Sequence, residues 1–344
     1  MRILPPTPEN VGLAAELLAA GRLVAMPTET VYGLAASARD ERAVARVFEL
    51  KGRPRDHPLI VHLGSGADAG GWVEHAREHG AHRRLEALAA ALWPGPLTLV
   101  VRKAAWVPDV LTGGQPTVAL RVPGHPVALA LLDALGGAVA APSANRFGRI
   151  SPTTAEHVAA EFGAADLVVL DGGACRVGLE STILDLTGPV ARVLRPGGVT
   201  VEAIEAVVGE RVEVNGDAAA PRVPGSLPSH YAPTAPTRLV GPAELERRIG
   251  EDAGMAVLAR RHAPEAFAGL WVALPDDPVA FGASLYAALR RLDSAAPREI
   301  LIERVPLTPP WLAVRDRLAR ASAPRPGVGV RAPAAAAGDV GRRA

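Results

Sequence analysis

Apolar residues recur along this chain with a helical period in some stretches and gather into short runs in others. Residues 8–20 (PENVGLAAELLAA) space their apolar side chains as one helix face behind Pro8, and a short strand is expected at 23–26. The same reading predicts helices at 40–50, 81–92, 126–135, 153–162 and 200–208. Between them, the runs at 59–63, 97–102, 117–122, 138–141, 166–170, 181–186 and 190–194 read as strands. This alternation argues for an α/β domain with a substantial mixed sheet over residues 1–210.

The pattern breaks over 211–236, where RVEVNGDAAAPRVPGSLPSHYAPTAP is rich in Pro, Gly, Ser and Ala and reads as a linker. A smaller β–α–β–β–α–β–α series follows over 237–323. Its strands are expected near 237–240, 255–259, 270–274 and 299–302, and its helices near 242–249, 279–292 and 310–321. That suits a compact second α/β domain. Residues 324–344 are of low complexity and are expected to be disordered.

Composition narrows the function. With 37 Lys plus Arg against 36 Asp plus Glu, the net charge of +1 argues against a polybasic nucleic-acid coat, though a local basic face leaves room for RNA contact. One cysteine, Cys175, excludes a disulfide framework and a multi-cysteine metal site. No signal-like start and no apolar run of about 18 residues is present, so a cytoplasmic protein without membrane contact is expected. Basic charge is almost all arginine, lysine occurring only at Lys51 and Lys103, which draws attention to Lys51. Asn145, Tyr32 and Tyr231 are scarce types that also fall in the motifs below.

PTETVYGL (27–34) puts hydroxyls at Thr28, Thr30 and Tyr32, which in an extended segment face one way; a Thr-capped turn is the competing reading. KGRPRDHPLIVH (51–62) ends a helix on Lys51 and Arg53. The helix dipole favours cations there, but an ammonium beside a guanidinium fork also suits polyphosphate. PSANRFGRISPT places Ser143, Asn145 and Ser151 in a loop at a strand end, where α/β sheets hold ligands or where the next helix is capped. GLESTILDL and VLRPG add Ser181, Thr182 and Arg195. His75, His79 and His82 have metal-like spacing but read better as a solvated helix face. No P-loop and no GxSxG elbow is present.

Together with LWPGPLTLV and TVALRVP, these motifs come in one order at one spacing, and over residues 5–210 the set resembles the L-threonylcarbamoyladenylate synthase family. PGSLPSHYAP resembles the linker of its two-domain members, and SLYAALRRLD and LAVRDRLARAS look like their C-terminal domain. The resemblance implies a twisted mixed α/β sheet with a concave basic cavity, closed over by the linker and a smaller Rossmann-like domain. It implies a nucleotidyltransferase that joins L-threonine, bicarbonate and ATP into threonylcarbamoyl-AMP and pyrophosphate. The product would supply the tRNA-threonylcarbamoyl transferase machinery that makes N6-threonylcarbamoyladenosine.

Carried over by residue, Thr30, His62, Arg121 and Ser181, with the backbone of Ala141, would hold threonine, Arg121 taking the carboxylate. Lys51, Arg53, His57, Thr117, Ser143, Ser151 and Arg195 would surround ATP, Asn145 supporting that loop and Tyr231 reaching over as a lid. Lys51 and Arg53 would be the catalytic cations, acting with Arg195 on the phosphates. Mg²⁺ would arrive with the triphosphate and need no dedicated protein ligands. Three positions depart from the family pattern: Phe147 before Gly148, Val223 before Pro224, and His57 where Asn is frequent. The rivals are an RNA-binding module and a hydrogenase-maturation carbamoyltransferase, whose zinc-finger cysteines this chain lacks.

Overall fold

Two sheets organise the chain. The structure is a computed structural model and describes residues 1–74, 79–214, 220–250 and 254–324, with the backbone alone at His79. In chain order the first part runs β1 (Arg2–Leu4), α1 (Pro8–Ala19), β2 (Val24–Met26), β3 (Gly33–Ser37), α2 (Glu41–Lys51), β4 (Ile60–His62), α3 (His79–Leu92), β5 (Leu97–Arg102) and α4 (Asp109–Thr112). It continues with β6 (Thr117–Arg121), α5 (Pro126–Leu135), β7 (Val139–Ala140), α6 (Ala155–Phe162), β8 (Val168–Leu170), β9 (Thr182–Asp185), β10 (Arg192–Arg195), α7 (Val201–Val208) and β11 (Glu213–Val214).

Local chemistry sets the helix starts. Thr7 accepts the Asn10 N–H ahead of Pro8, Asp40 accepts from Arg42 and Ala43, and Thr154 and Thr200 cap α6 and α7 in the same way. Burial then orients them. Val11, Ala14, Ala15 and Leu18 of α1 meet Ala128, Leu131 and Leu132 of α5 in one apolar cluster, while Val44, Val47 and Phe48 of α2 enter another.

The eleven strands form one mixed sheet in the order β1-β8-β2-β3-β7-β4-β6-β5-β9-β10-β11. Its registers bring particular residues level: His62 of β4 sits opposite Arg121 of β6, Leu97 of β5 opposite Thr182 of β9, and Ile183 opposite Arg195 of β10. Side chains alternate across a strand, so one face carries Ile60, Val100, Ala119 and Ile183 as an apolar floor beside His62 and Arg121.

The second part holds β12 (Thr237–Val240), α8 (Pro242–Ile249), β13 (Met255–Ala259), β14 (Leu270–Ala273), α9 (Pro278–Ser294), β15 (Glu299–Glu303) and α10 (Leu312–Ala321). Its four strands are all parallel, in the order β12-β15-β13-β14, as expected of a doubly covered α/β sheet. Phe281, Leu285, Trp311 and Val314 of this part share a core with Val31, Ile150, Leu179 and Tyr231 of the first.

Several expectations change. β1, β3, α4 and β11 fall in none of the predicted elements, and β11 pairs with β10 inside the stretch read as linker. The PTET segment is a bent loop between antiparallel β2 and β3, so its three hydroxyls do not share a face. Thr28 Oγ1 lies 2.8 Å from Thr30 Oγ1 and donates to the Val31 carbonyl at 2.6 Å, whereas Tyr32 points away and donates to Gly173 O at 2.8 Å. His75 and the tail from residue 325 lie outside the described residues, and His82 faces Glu86 at 3.2 Å.

Candidate active site

The concave face is roofed by linker residues 223–231. Val223 packs on the floor of Ile60, Val100, Ala119 and Ile183, and Pro224, Gly225, His230 and Tyr231 close a cavity of about 50 Å³. Its wall includes Thr30, Arg53, His62, Arg121, Ala141, Ser143, Ser181, Arg195 and Tyr231, nine of the residues singled out from the sequence.

On one side the polar groups are already knitted together. Arg121 donates from Nε to Gly95 O, from Nη1 to Thr30 Oγ1 at 3.0 Å, and from Nη2 to Glu29 at 2.6 Å. Its fork is therefore engaged within the protein, and a ligand carboxylate meets only the outward N–H bonds, not the open pair expected. Ser181 Oγ lies 2.7 Å from Thr98 Oγ1. His62 Nδ1 is 3.2 Å from the Ile60 carbonyl. A carbonyl only accepts, so Nδ1 carries the proton and Nε2 remains an acceptor. Burial, reinforced by Arg121, pushes His62 down to about 3, so the ring is neutral.

On the other side are buried cations. Arg53 donates from Nη2 to Pro58 O at 2.8 Å, and its Nε has no partner among the described residues. Arg195 donates to Ser181 O, to Ser181 Oγ at 3.2 Å and to Pro224 O at 2.9 Å. Among the described residues neither guanidinium has a carboxylate within ion-pair distance, although they are only 7% and 3% exposed. Burial, with Arg195 nearby, lowers Arg53 to about 10, so it stays charged at neutral pH. Two buried cations that meet only neutral acceptors make a site for an anion.

Five expected nucleotide residues lie elsewhere. Lys51 is buried and donates to the carbonyls of Ser143 and Asn145, so it braces the PSAN loop from beneath. Asn145 donates to the carbonyls of Arg146 and Arg149 and holds the same loop. Ser151 donates to Glu180 at 2.6 Å. His57 packs edge-on against Phe147 at 5.3 Å, two of the departures from the family pattern touching each other. Thr117 begins β6 and faces a separate depression lined by Arg102, Gln115 and Asp185, about 13 Å along the strand from Arg121.

A family model described as "Telomere recombination" matches residues 16–197, and one described as "Threonylcarbamoyl-AMP synthase, C-terminal domain" matches 199–323. A threonylcarbamoyl-AMP synthase of Pyrococcus abyssi is 41% identical over 91% of this chain and 94% of that protein. The chain belongs to the threonylcarbamoyl-AMP synthase family. A Bacillus subtilis threonylcarbamoyl-AMP synthase is 38% identical over 92% of the chain and 94% of its own length. The solved structure of Pyrococcus abyssi Sua5 complexed with L-threonine superposes with a TM-score of 0.84 at 38% identity, covering 93% of this chain and 96% of that one.

Three residues of this synthase-family site escaped the sequence reading. Glu29 pairs with Arg121 and accepts the Gly124 N–H. Glu180 accepts from Ser151, Tyr286 and Arg317. His230 lies 4.2 Å ring to ring from Tyr231 with an unpartnered Nδ1, and burial holds it at about 3. The two glutamates sit inside quoted motifs, TET and LES, and an acidic residue next to a site hydroxyl was the available signal.

Proposed function

We propose that this cavity joins L-threonine, bicarbonate and ATP into threonylcarbamoyl-AMP with release of pyrophosphate. The observation that carries the reading is the buried pair Arg53 and Arg195, two cations without carboxylate partners among the described residues, beside a neutral pocket of Thr30, His62 and Ser181. The cations suit phosphate oxygens and the neutral side suits a small hydroxy amino acid. The threonine-bound Pyrococcus abyssi structure supports that amino acid.

In this reading bicarbonate takes up a proton and loses water to give carbon dioxide, to which the threonine amine adds with loss of a proton, giving a carbamate. A carbamate oxygen then attacks the α-phosphorus, the bond to the bridging oxygen breaks, and pyrophosphate leaves. Arg53 and Arg195 stabilise charge on the phosphates as it develops, and His62 Nε2 accepts a hydrogen bond from threonine. Lys51 acts at one remove, holding the Ser143–Asn145 loop.

The linker is the lid. A nucleotide site takes roughly 300–1,000 Å³, and the closed cavity offers about 50 Å³. ATP therefore enters by lifting residues 224–231, and their return excludes water from the carbamate and the mixed anhydride. Tyr231 is suited to this, being held in the left-handed region at φ 58 with a hydroxyl that has no partner among the described residues.

The residues present do not form a magnesium site. Glu29 and Glu180 are committed to Arg121 and to Ser151, Tyr286 and Arg317, so Mg²⁺ with the triphosphate remains a proposal through which no step is routed. Supply of the adenylate to the tRNA-modifying machinery, and direct RNA contact, are proposals of the same standing.

The test is to incubate the protein with ATP, threonine and ¹³C-bicarbonate and weigh the product. A labelled threonylcarbamoyl-AMP is expected. An unlabelled threonyl-adenylate, or no threonine-dependent product, would overturn the reading.

A further inference from the structure

Arg53 is a buried cation with little to hold it. Among the described residues it makes one hydrogen bond, from Nη2 to Pro58 O, and its Nε has no partner. A long side chain fixed at one point keeps several rotamers open, whereas a charge that acts on a phosphate has to be aimed. The other group the guanidinium meets is a ring. Its central carbon lies over the face of Phe147, 5.6 Å from the ring centre. An aromatic face is the negative side of the ring quadrupole, so it attracts a cation without consuming any N–H donor. Nε is left for a ligand.

The ring is itself held from several directions. Phe147 N–H donates to the Lys51 carbonyl at the end of α2 at 2.9 Å, and the next residue, Gly148, accepts the Ala232 N–H just beyond the lid at 3.0 Å. His57 and His230 stand almost perpendicular to the ring, at 86° and 85°, with centroids 5.3 and 5.9 Å away. The Arg53–His57 segment, the end of α2 and the lid thus converge on one half-buried side chain. Phe147 is absent from the cavity wall, so its influence runs through Arg53, which is part of that wall. It is also one of the three departures from the family pattern, so this contact belongs to this chain and is not carried over with the motifs.

We propose that Phe147 is a positioning residue whose ring face aims the Arg53 guanidinium at the triphosphate. Two anchors, Pro58 O and the ring, fix the side chain and leave its remaining N–H bonds to phosphate oxygens. The attraction is strong here because the guanidinium is only 7% exposed, so water competes little for it. This inference rests on the reading that ATP binds in the cavity.

The test replaces Phe147 in the full chain with mono-, di- and pentafluorinated phenylalanine, which keep the ring's shape while withdrawing charge from its face. It measures Kd for ATP by calorimetry, kcat/KM for ATP and KM for threonine. Kd for ATP is expected to rise stepwise along the series, to about tenfold at the pentafluorinated ring, with kcat/KM for ATP falling in parallel and KM for threonine unmoved. Phe147→Leu, which keeps bulk without a ring face, is expected to match the end of the series, and Phe147→Tyr, which keeps the face, to stay near wild type. The same series built on Arg53→Met is expected to be flat. A flat series with Arg53 in place, or a slope that persists in Arg53→Met, would overturn the proposal. A wild type that releases no pyrophosphate from ATP in the presence of threonine and bicarbonate would instead overturn the reading beneath it.

Discussion

Acidification from about pH 7 to about pH 5 weakens this fold through imidazoles that burial keeps neutral, His62 and His230. Both are held at about 3, against the ordinary 6.5 of the unfolded chain. The depressed folded value means that the unfolded chain takes up a proton on each ring as the pH drops through 6.5, while the folded chain takes up none until about 3. The stability is therefore present above the unfolded value and is lost progressively below it. Over the ~1.5 units between 6.5 and pH 5, at about 1.4 kcal/mol per unit, each ring withdraws about 2 kcal/mol. The assay is urea unfolding at a series of pH values for the wild type, His62→Asn and His230→Asn. His57, His125 and His157 also titrate low but are common to all three proteins, so the difference between curves isolates one ring. Each variant is expected to lose about 2 kcal/mol less than the wild type between pH 7 and pH 5. Parallel curves would refute the neutral buried imidazoles.

Three further perturbations follow from the same contacts. Lys51→Met removes both donors beneath the PSAN loop and is expected to lower stability by about 2 kcal/mol before any nucleotide is added; an unfolding midpoint equal to wild type contradicts the brace. Tyr231→Phe removes a buried hydroxyl without a partner, so the melting temperature holds or rises, and a fall would show a bond the geometry denies. Glu29→Gln leaves buried Arg121 without its counter-charge and is expected to cost about 3 kcal/mol, part of which added threonine restores through its carboxylate; threonine that stabilises wild type and variant equally would argue against Arg121 as its partner.

Strong local signals made most elements legible. Helix α5 begins behind a Pro and buries Ala128, Leu131 and Leu132, and it stands at 126–135 as its periodicity predicts. The strands that escaped have little pattern of their own. β1 is three residues long and largely exposed, β11 is two, and β3 (GLAAS) is a strand because β2 and β7 flank it, not because small residues favour one. The hydroxyls of PTETVYGL misled for a related reason: alternation is informative only in extended backbone, and Thr28 folds the segment into a turn through its own Oγ1.

The site divides the same way. Arg53, Arg195, Thr30 and Ser181 all line the cavity: Ser181 and Arg195 lie at the ends of the neighbouring, paired strands β9 and β10, Thr30 lies in the loop between β2 and β3, and Arg53 follows the end of α2. Lys51 and Ser151 could not be placed from spacing, since their partners are the carbonyls of a loop over 90 residues away and a carboxylate 29 residues away. Glu180 and Arg317 are separated by 137 residues and meet only because α10 packs across the domain seam. No period in the chain encodes that meeting.

Pyrophosphate release from ATP by the purified protein, with threonine and bicarbonate each supplied or omitted, tests the central claim most directly. Release that requires both, and that falls about a hundredfold or more in Arg195→Met, is what the account predicts. Release indifferent to threonine, or none at all, would contradict it and leave the cavity to some other anion.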